Sequence, residues 1–173
     1  IVCLQEAFDP LHRDILKRAL SDQFHIDGDI SKSRKILYLK HFDAAGGLVI
    51  LSKYPIVHSR FIPHNRFYNA TFGEFLGRKG FLMATVETPR GPLDLINVHL
   101  HEESVWFVDA MIRRQQIRRI CRYASKIKKA ALLCGDFNED DLVNKPIFAE
   151  AIKAQGFLNP TNEILEPTYR TDN

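Results

Sequence analysis

Three short stretches set polar, chemistry-bearing side chains at the ends of apolar runs: Gln5-Glu6, Asn97-x-His99-x-His101 and Asp136-x-Asn138. The residues before each one (IVCL, LDLI, AALLC) read as a buried strand, which puts the polar groups at a strand's exit. Residues two apart on a strand share a face. This predicts that Asn97, His99 and His101 point one way, and that Asp136 and Asn138 point one way together. Glu6 and Asp136 offer carboxylate oxygens, the ligands of a hard cation such as magnesium, which takes one or two carboxylates and keeps several waters. His99 and Asn138 are donors suited to phosphoryl oxygens as charge builds on them. Zinc suits the pattern less well, because only His99-x-His101 has tight ligand spacing. The chemistry that fits is phosphoester hydrolysis. Glu102 and Glu103 read more simply, as solvated residues or first-turn partners of a helix dipole.

These groups must be held by elements that the sequence marks in turn. A strand over residues 1–6 is followed by a helix over 10–20, with Asp9 as N-cap and Pro10 at the first helical position. Gly46-Gly47 opens a strand, LVILSK, that Pro55 closes. Residues 61–80 read as an irregular stretch holding Phe61, Phe67, Tyr68, Phe72 and Phe75, packing as core or loop rather than as a membrane wedge. FLMATVET and LDLINVHLH form a hairpin across Pro89-Arg90-Gly91-Pro92. A long helix runs from Ser104, its N-cap, to Lys129. Val105, Val108, Met111/Ile112, Ile120, Tyr123/Ala124 and Ile127 form its buried face. Its basic residues (Arg113, Arg114, Arg118, Arg119, Arg122, Lys126, Lys128, Lys129) read as a solvated face. A strand over 130–134, a helix over 146–155 stopped by Gly156, and a turn-rich tail complete the chain. Strands and hairpins alternating with helices predict an α/β or α+β domain.

Composition narrows the class without naming it. With 173 residues and no linker or repeat, one domain over 1–173 is expected. A net charge of +3 is compatible with an anionic substrate but too small to imply nucleic acid or membrane. Cys3, Cys121 and Cys134 are odd in number and form no C-x-x-C pair, against a disulfide framework or structural zinc. Cys3 and Cys134 read as small buried hydrophobes. The longest apolar run, residues 44–51, is too short to span a bilayer. The chain starts at Ile1 without methionine, so the sequence assigns no compartment.

LQE, the NVHLH strand and GDFN, in this order, resemble the endonuclease/exonuclease/phosphatase superfamily, over nearly the whole chain. The resemblance implies an α/β/β/α four-layer sandwich of two mixed sheets, incomplete at both termini. It implies a magnesium ion, or manganese in its place, held by Glu6. Asp136 would orient or activate the attacking water, Asn138 would fix the geometry beside it, and His99 would contact the scissile phosphate. Asn97 and His101 would support these groups, and Glu74 would pair with His99 and orient its ring. The family's upstream Asn strand and terminal S-D-H have no counterpart in this sequence. That implies a truncated chain that hydrolyses poorly and folds marginally by itself.

His99-Leu100-His101-Glu102 and the Gly77-to-Phe81 approach look closest to neutral-sphingomyelinase-like members. A phosphodiester in a phospholipid head group such as sphingomyelin is then the expected substrate. The aromatic stretch and Trp106-Phe107 would make peripheral membrane contact. Two alternatives compete. A nuclease would want basic residues beside the site, whereas here they lie mainly on the long helix. A non-catalytic phosphate-binding module would have lost the terminal catalytic His. No feature points to a protein partner.

Overall fold

The computed structural model describes residues 1–28, 45–64, 79–102, 106–138 and 151–158. Strand β1 (Val2–Leu4) leads into helix α1 (Pro10–Leu20). Asp9 caps that helix by accepting from Leu11 N at 2.8 Å, and Pro10 sits in its first turn, as the sequence implies. Strand β2 (His25–Asp27) and, after a single 3-10 turn at Ala45–Gly47, strand β3 (Val49–Ser52) complete an antiparallel sheet of order β1-β3-β2. A second sheet has the order β4-β5-β6-β7: β4 (Ile56–Pro63), β5 (Gly80–Thr88), β6 (Gly91–His99) and β7 (Ala130–Asp136). Its first three strands are antiparallel, and β7 runs parallel to β6. A parallel pair needs a crossover, which helix α2 (Trp106–Ala124) supplies. The chain therefore has an α+β fold of two packed sheets with helices.

Alternation along the strands divides the core in two. Ile50 of the first sheet and Leu48 just before β3 meet Leu82, Ala84, Val86 and Leu95 of the second. On the far side of the second sheet, Ile62, Phe81, Ile96, Val98 and Leu100 pack under Ile117, Ile120 and Ala124 of α2. Each buried Leu, Ile, Val or Phe side chain among them contributes about 1.5–3 kcal/mol relative to exposure. Cys3 and Cys134 are half-buried free thiols at the seam between the sheets. Their mutual hydrogen bond, with burial, pushes the Cys3 thiol up. Among the described residues no helix is long and apolar enough to cross a membrane.

Several sequence expectations change in detail. Strand β4 was not expected; it includes Phe61, so the irregular stretch does not begin there. It is an edge strand with exposed Val57, His58 and Arg60 and an irregularity between Ile56 and His58, so it lacks a clean alternation. Pro63 is tolerated at its end because an edge leaves one side of the ladder unpaired. Phe67, Tyr68, Phe72 and Phe75 lie outside the described residues. Helix α2 ends at Ala124, not Lys129, closed by tightened turns from Lys126 N to Tyr123 O and from Ile127 N to Ala124 O. Its Ser104 cap and Val105 lie outside the described residues. Met111 is exposed beside buried Ile112. Arg114, Arg118 and Arg122 are solvated as expected, but Arg113 is buried and Arg119 half-buried. Of the last expected helix, residues 151–153 are helical and Gly156 turns the chain at φ 79°; 146–150 lie outside the described residues.

His64, just past β4, yields a pH prediction. Its ring is 6% exposed, and burial, with the charges of Arg119 and Lys79, lowers its pKa from 6.5 to about 3. The folded protein keeps the ring neutral while the unfolded chain takes up a proton. The contribution is therefore whole above the unfolded value of 6.5 and is lost as pH falls toward 3. The slope in that window is at most about 1.4 kcal/mol per pH unit. Urea unfolding in phosphate-free buffer, from neutral to acid pH, should show it in the wild type and lose it in His64→Gln. The same slope in both proteins would remove His64 as the titrating group.

Candidate active site

Strands β6 and β7 end together, with His99 paired in register against Asp136. Leu100 N donates to Asp136 O at 2.9 Å and extends the pairing one step past the strand ends. Strand β1 of the other sheet delivers Gln5 and Glu6 to the same place. Glu6 has a left-handed backbone (φ 57°), which costs a non-glycine residue about 1–3 kcal/mol and persists only where the surroundings impose it. Ala7 N donates to Gly47 O at 2.9 Å, and a Cβ on Gly47 would sit 3.0 Å from Glu6 Cα. From the other side, buried Arg13 of α1 donates to Ala7 O and, at 3.3 Å, to Gly28 O. Burial lowers the Arg13 pKa to about 10.

The pinned loop presents Glu6 as an open carboxylate. Its side chain is 67% exposed, and its Oε1 lies 3.9 Å from Nε2 of His99, which is 2% exposed. That separation exceeds a hydrogen bond and leaves the carboxylate open to solvent. The Phe8 ring stands tilted at 6.1 Å from the His99 ring and covers it. Glu74, the expected partner of His99, lies outside the described residues.

Asp136 and Asn138 are brought together by a turn rather than by strand alternation, because β7 ends at Asp136. Asn138 N donates to Asp136 Oδ1 at 2.8 Å, and the Asn138 backbone is left-handed (φ 48°), a conformation Asn tolerates. Asn138 Nδ2 donates to Leu100 O at 2.9 Å, locking the turn to the end of β6. Buried Lys79 donates to the same carbonyl, also at 2.9 Å.

Of the three residues expected on one face, Asn97 keeps to it and His101 does not. Asn97 shares the His99 face and is fully buried. It accepts from Gln5 Nε2 at 2.7 Å and donates to Leu4 O at 3.0 Å and Val49 O at 3.2 Å. With both N–H donors of its amide engaged, it ties β1 and β3 to β6 and has no donor left for a phosphate. His101 does not continue the alternation, because β6 stops at His99. Its ring turns to α2, where Nε2 lies 2.7 Å from Asp109 Oδ1, both side chains fully buried. Its backbone is held as well: His101 N donates to Gln116 Oε1 at 2.9 Å, and Arg113 Nη1 donates to His101 O at 3.4 Å. Both residues support the site without reaching into it.

Glu6, His99, Asp136 and Asn138 thus converge at one edge between the two sheets. Gln5, Phe8, Lys79, Asp109 and Gln116 complete the surroundings, and sequence reasoning gave none of them a role. Only Gln5 carried a local signal, a polar residue at a strand's exit. Among the described residues no three His, Cys, Asp or Glu side chains cluster as a metal cage. One open carboxylate is instead the donor set of an ion that keeps most of its waters, so Glu6 fits magnesium.

Comparison with known proteins follows the same lines. Residues 1–143 match the model of the Endonuclease/Exonuclease/phosphatase family. No curated protein matches. Among solved structures, sphingomyelinase C from Streptomyces griseocarneus is 25% identical with TM-score 0.72, over 93% of this chain and 58% of that one. Beta toxin from Staphylococcus aureus with bound magnesium ions is 21% identical with TM-score 0.71, over 91% and 58%. D. rerio TDP2 complexed with a single-strand DNA product is 18% identical with TM-score 0.56, over 92% and 52%. The chain spans less than two thirds of the length of each.

Proposed function

The chain belongs to the endonuclease/exonuclease/phosphatase family, and we propose that it serves as the site-bearing part of a magnesium-dependent phosphodiesterase acting on a phospholipid head group of the sphingomyelin type. The observation that carries this reading is the convergence of Glu6, His99 and the Asp136–Asn138 turn at the paired ends of β6 and β7. Glu6 would hold the cation, which neutralises charge on the phosphoryl oxygens. His99 would donate to the phosphate, its position fixed by β6 and by Phe8. Asp136 would orient the attacking water and take its proton, held by the Asn138 amide. Asn138 Nδ2 is committed to Leu100 O, so Asn138 acts by fixing that geometry.

Two features favour a lipid over a nucleic acid. The likeness to a sphingomyelinase C reaches 25% identity, whereas TDP2 shares the fold alone. The exposed arginines of α2 lie across the sheet from the site: Ile96, Val98 and Leu100 face the helix, while Asn97 and His99 project from the other face. A nuclease would use such charges beside its site to neutralise phosphates.

The test is hydrolysis of sphingomyelin vesicles and of plasmid DNA by the full-length protein, with magnesium or with EDTA. Magnesium-dependent release of the head group is expected, with little or no DNA nicking. Glu6→Gln should lower that rate by roughly 10²–10³-fold, the scale of a lost transition-state charge interaction. Vesicle hydrolysis that persists in EDTA would overturn the metal assignment. DNA cleavage without lipid hydrolysis would overturn the substrate class, and no magnesium-dependent hydrolysis of either would favour a phosphate-binding module.

A further inference from the structure

On the helix side of the second sheet a group of basic side chains meets under α2, and Lys79 reaches from it to the Leu100 carbonyl that also holds Asn138. His64 N donates to Lys79 O at 2.9 Å, continuing the β4–β5 pairing one step beyond Pro63 and Gly80. The two side chains therefore lie on the same face as their strand neighbours Ile62 and Phe81, toward α2. His64 and Lys79 are 6% and 5% exposed. The rings run in sequence from strand to helix: His64 stands 5.7 Å from Phe81, and Phe81 meets Tyr123 of α2 edge-on at 5.3 Å. Arg119 lies one helical turn before Tyr123, and residues four apart on a helix are neighbours on its surface. That places Arg119 at the His64 end of the row, and the Arg119 charge is felt at the His64 ring.

The hydrogen-bond inventory there is incomplete. Among the described residues, neither nitrogen of the His64 ring has a partner, and the buried Nε of Arg119 has none. Buried polar groups in folded proteins are paired almost without exception, because an unmade bond costs about 1–3 kcal/mol per group. Here an imidazole N–H and a guanidinium N–H are both buried and unmet, and a second cation stands beside them. A group that accepts hydrogen bonds and carries negative charge would complete them.

We infer that His64 and Arg119 form a binding site for a small free oxyanion of the phosphate class, beneath α2 and separate from the candidate active site. Guanidinium matches phosphate geometry through paired N–H donors, and the neutral imidazole adds a donor without a further charge. The near-complete burial of His64 excludes a phosphate still attached to a bilayer or a nucleic-acid strand. The site therefore serves inorganic phosphate or a similarly small oxyanion.

The experiment is a titration of the full-length protein with inorganic phosphate in EDTA, reading the histidine ring resonances by NMR. His64 is expected to shift and saturate. Arg119→Gln should weaken that binding about ten- to a hundredfold, the effect of a lost charge-assisted hydrogen bond, and Arg119→Lys should restore part of it. Arg119 is half-exposed, so neither substitution needs to disturb the core, and unchanged unfolding in phosphate-free buffer confirms this. Glu6→Gln should leave the His64 titration unaltered. The proposal is overturned if phosphate shifts His99 and not His64, or if Arg119→Gln binds phosphate as tightly as the wild type.

Discussion

Asp136→Asn is expected to lower phosphodiester turnover by roughly 10²–10⁴-fold, the range of a lost general base, while the unfolding free energy stays within about 1 kcal/mol of the wild type. The two expectations separate because the Asp136 carboxylate has two distinguishable tasks. Its Oδ1 accepts from Asn138 N at 2.8 Å, and an amide oxygen in the same place can accept that bond equally well. The main-chain oxygen of Asp136 accepts from Leu100 N, which substitution does not touch. What asparagine cannot supply is the negative charge and basicity of the second oxygen, which the proposed proton transfer requires. Asp136→Ala is the useful contrast: it removes the cap on the turn as well as the charge, and should also cost about 1 kcal/mol of stability. Rates on sphingomyelin vesicles and urea unfolding curves for both variants decide the matter. Turnover near wild type in Asp136→Asn would take Asp136 out of the mechanism and leave it as a turn-forming residue.

The chain's own chemistry explains which parts of this arrangement are legible in the sequence. The β5–β6 hairpin and α2 are legible because each is long, buried on at least one face, and bounded by strong local signals. These are Pro89-Arg90-Gly91-Pro92 for the hairpin and the spacing of Ile112, Ile120 and Ala124 for the helix. Strands β2 and β4 are not legible: β2 has three residues, and β4 carries polar residues on an exposed edge, so their pairing is decided by β3 and β5. The same division holds at the site. Strand exits mark Glu6, His99 and Asp136, since polar residues that end apolar runs are a local feature. The direction of His101 is not local, because it depends on β6 ending two residues earlier and on Asp109 lying buried in the first turns of α2. The lock on Asn97 likewise requires main-chain oxygens from β1 and β3, far away in sequence. Arg113 and Arg119 look like any other charges of a solvated helix face until the sheet beneath them is in place.

The glycine of the Gly135-Asp136-Phe137-Asn138 run supplies the second large effect, and it acts through the fold. Gly135 pairs with Val98 across the parallel β6–β7 ladder, one position before His99 and Asp136. Its φ is 129°, and a Cβ there would lie 2.1 Å from Val98 O and 2.7 Å from Val98 N. Those are backbone atoms of a buried strand, so no rotamer change can relieve the overlap; β7 must move off β6. Gly135→Ala should cost roughly 2–6 kcal/mol, combining backbone strain with overpacking. That is a large part of the about 5–15 kcal/mol by which domains are stable. Since His99 and Asp136 are adjacent in the ladder, turnover should fall with it. Gly91→Ala separates the two causes. Gly91 also has a positive φ, 109°, but nothing lies within 4 Å of its added Cβ, so its cost is strain alone, about 1–3 kcal/mol. Urea unfolding of both variants measures the difference. If Gly135→Ala were no more destabilising than Gly91→Ala, the two strands would not be held at backbone contact. The glycine would then be needed only for its dihedral angle, and the spacing of His99 from Asp136 would need another explanation.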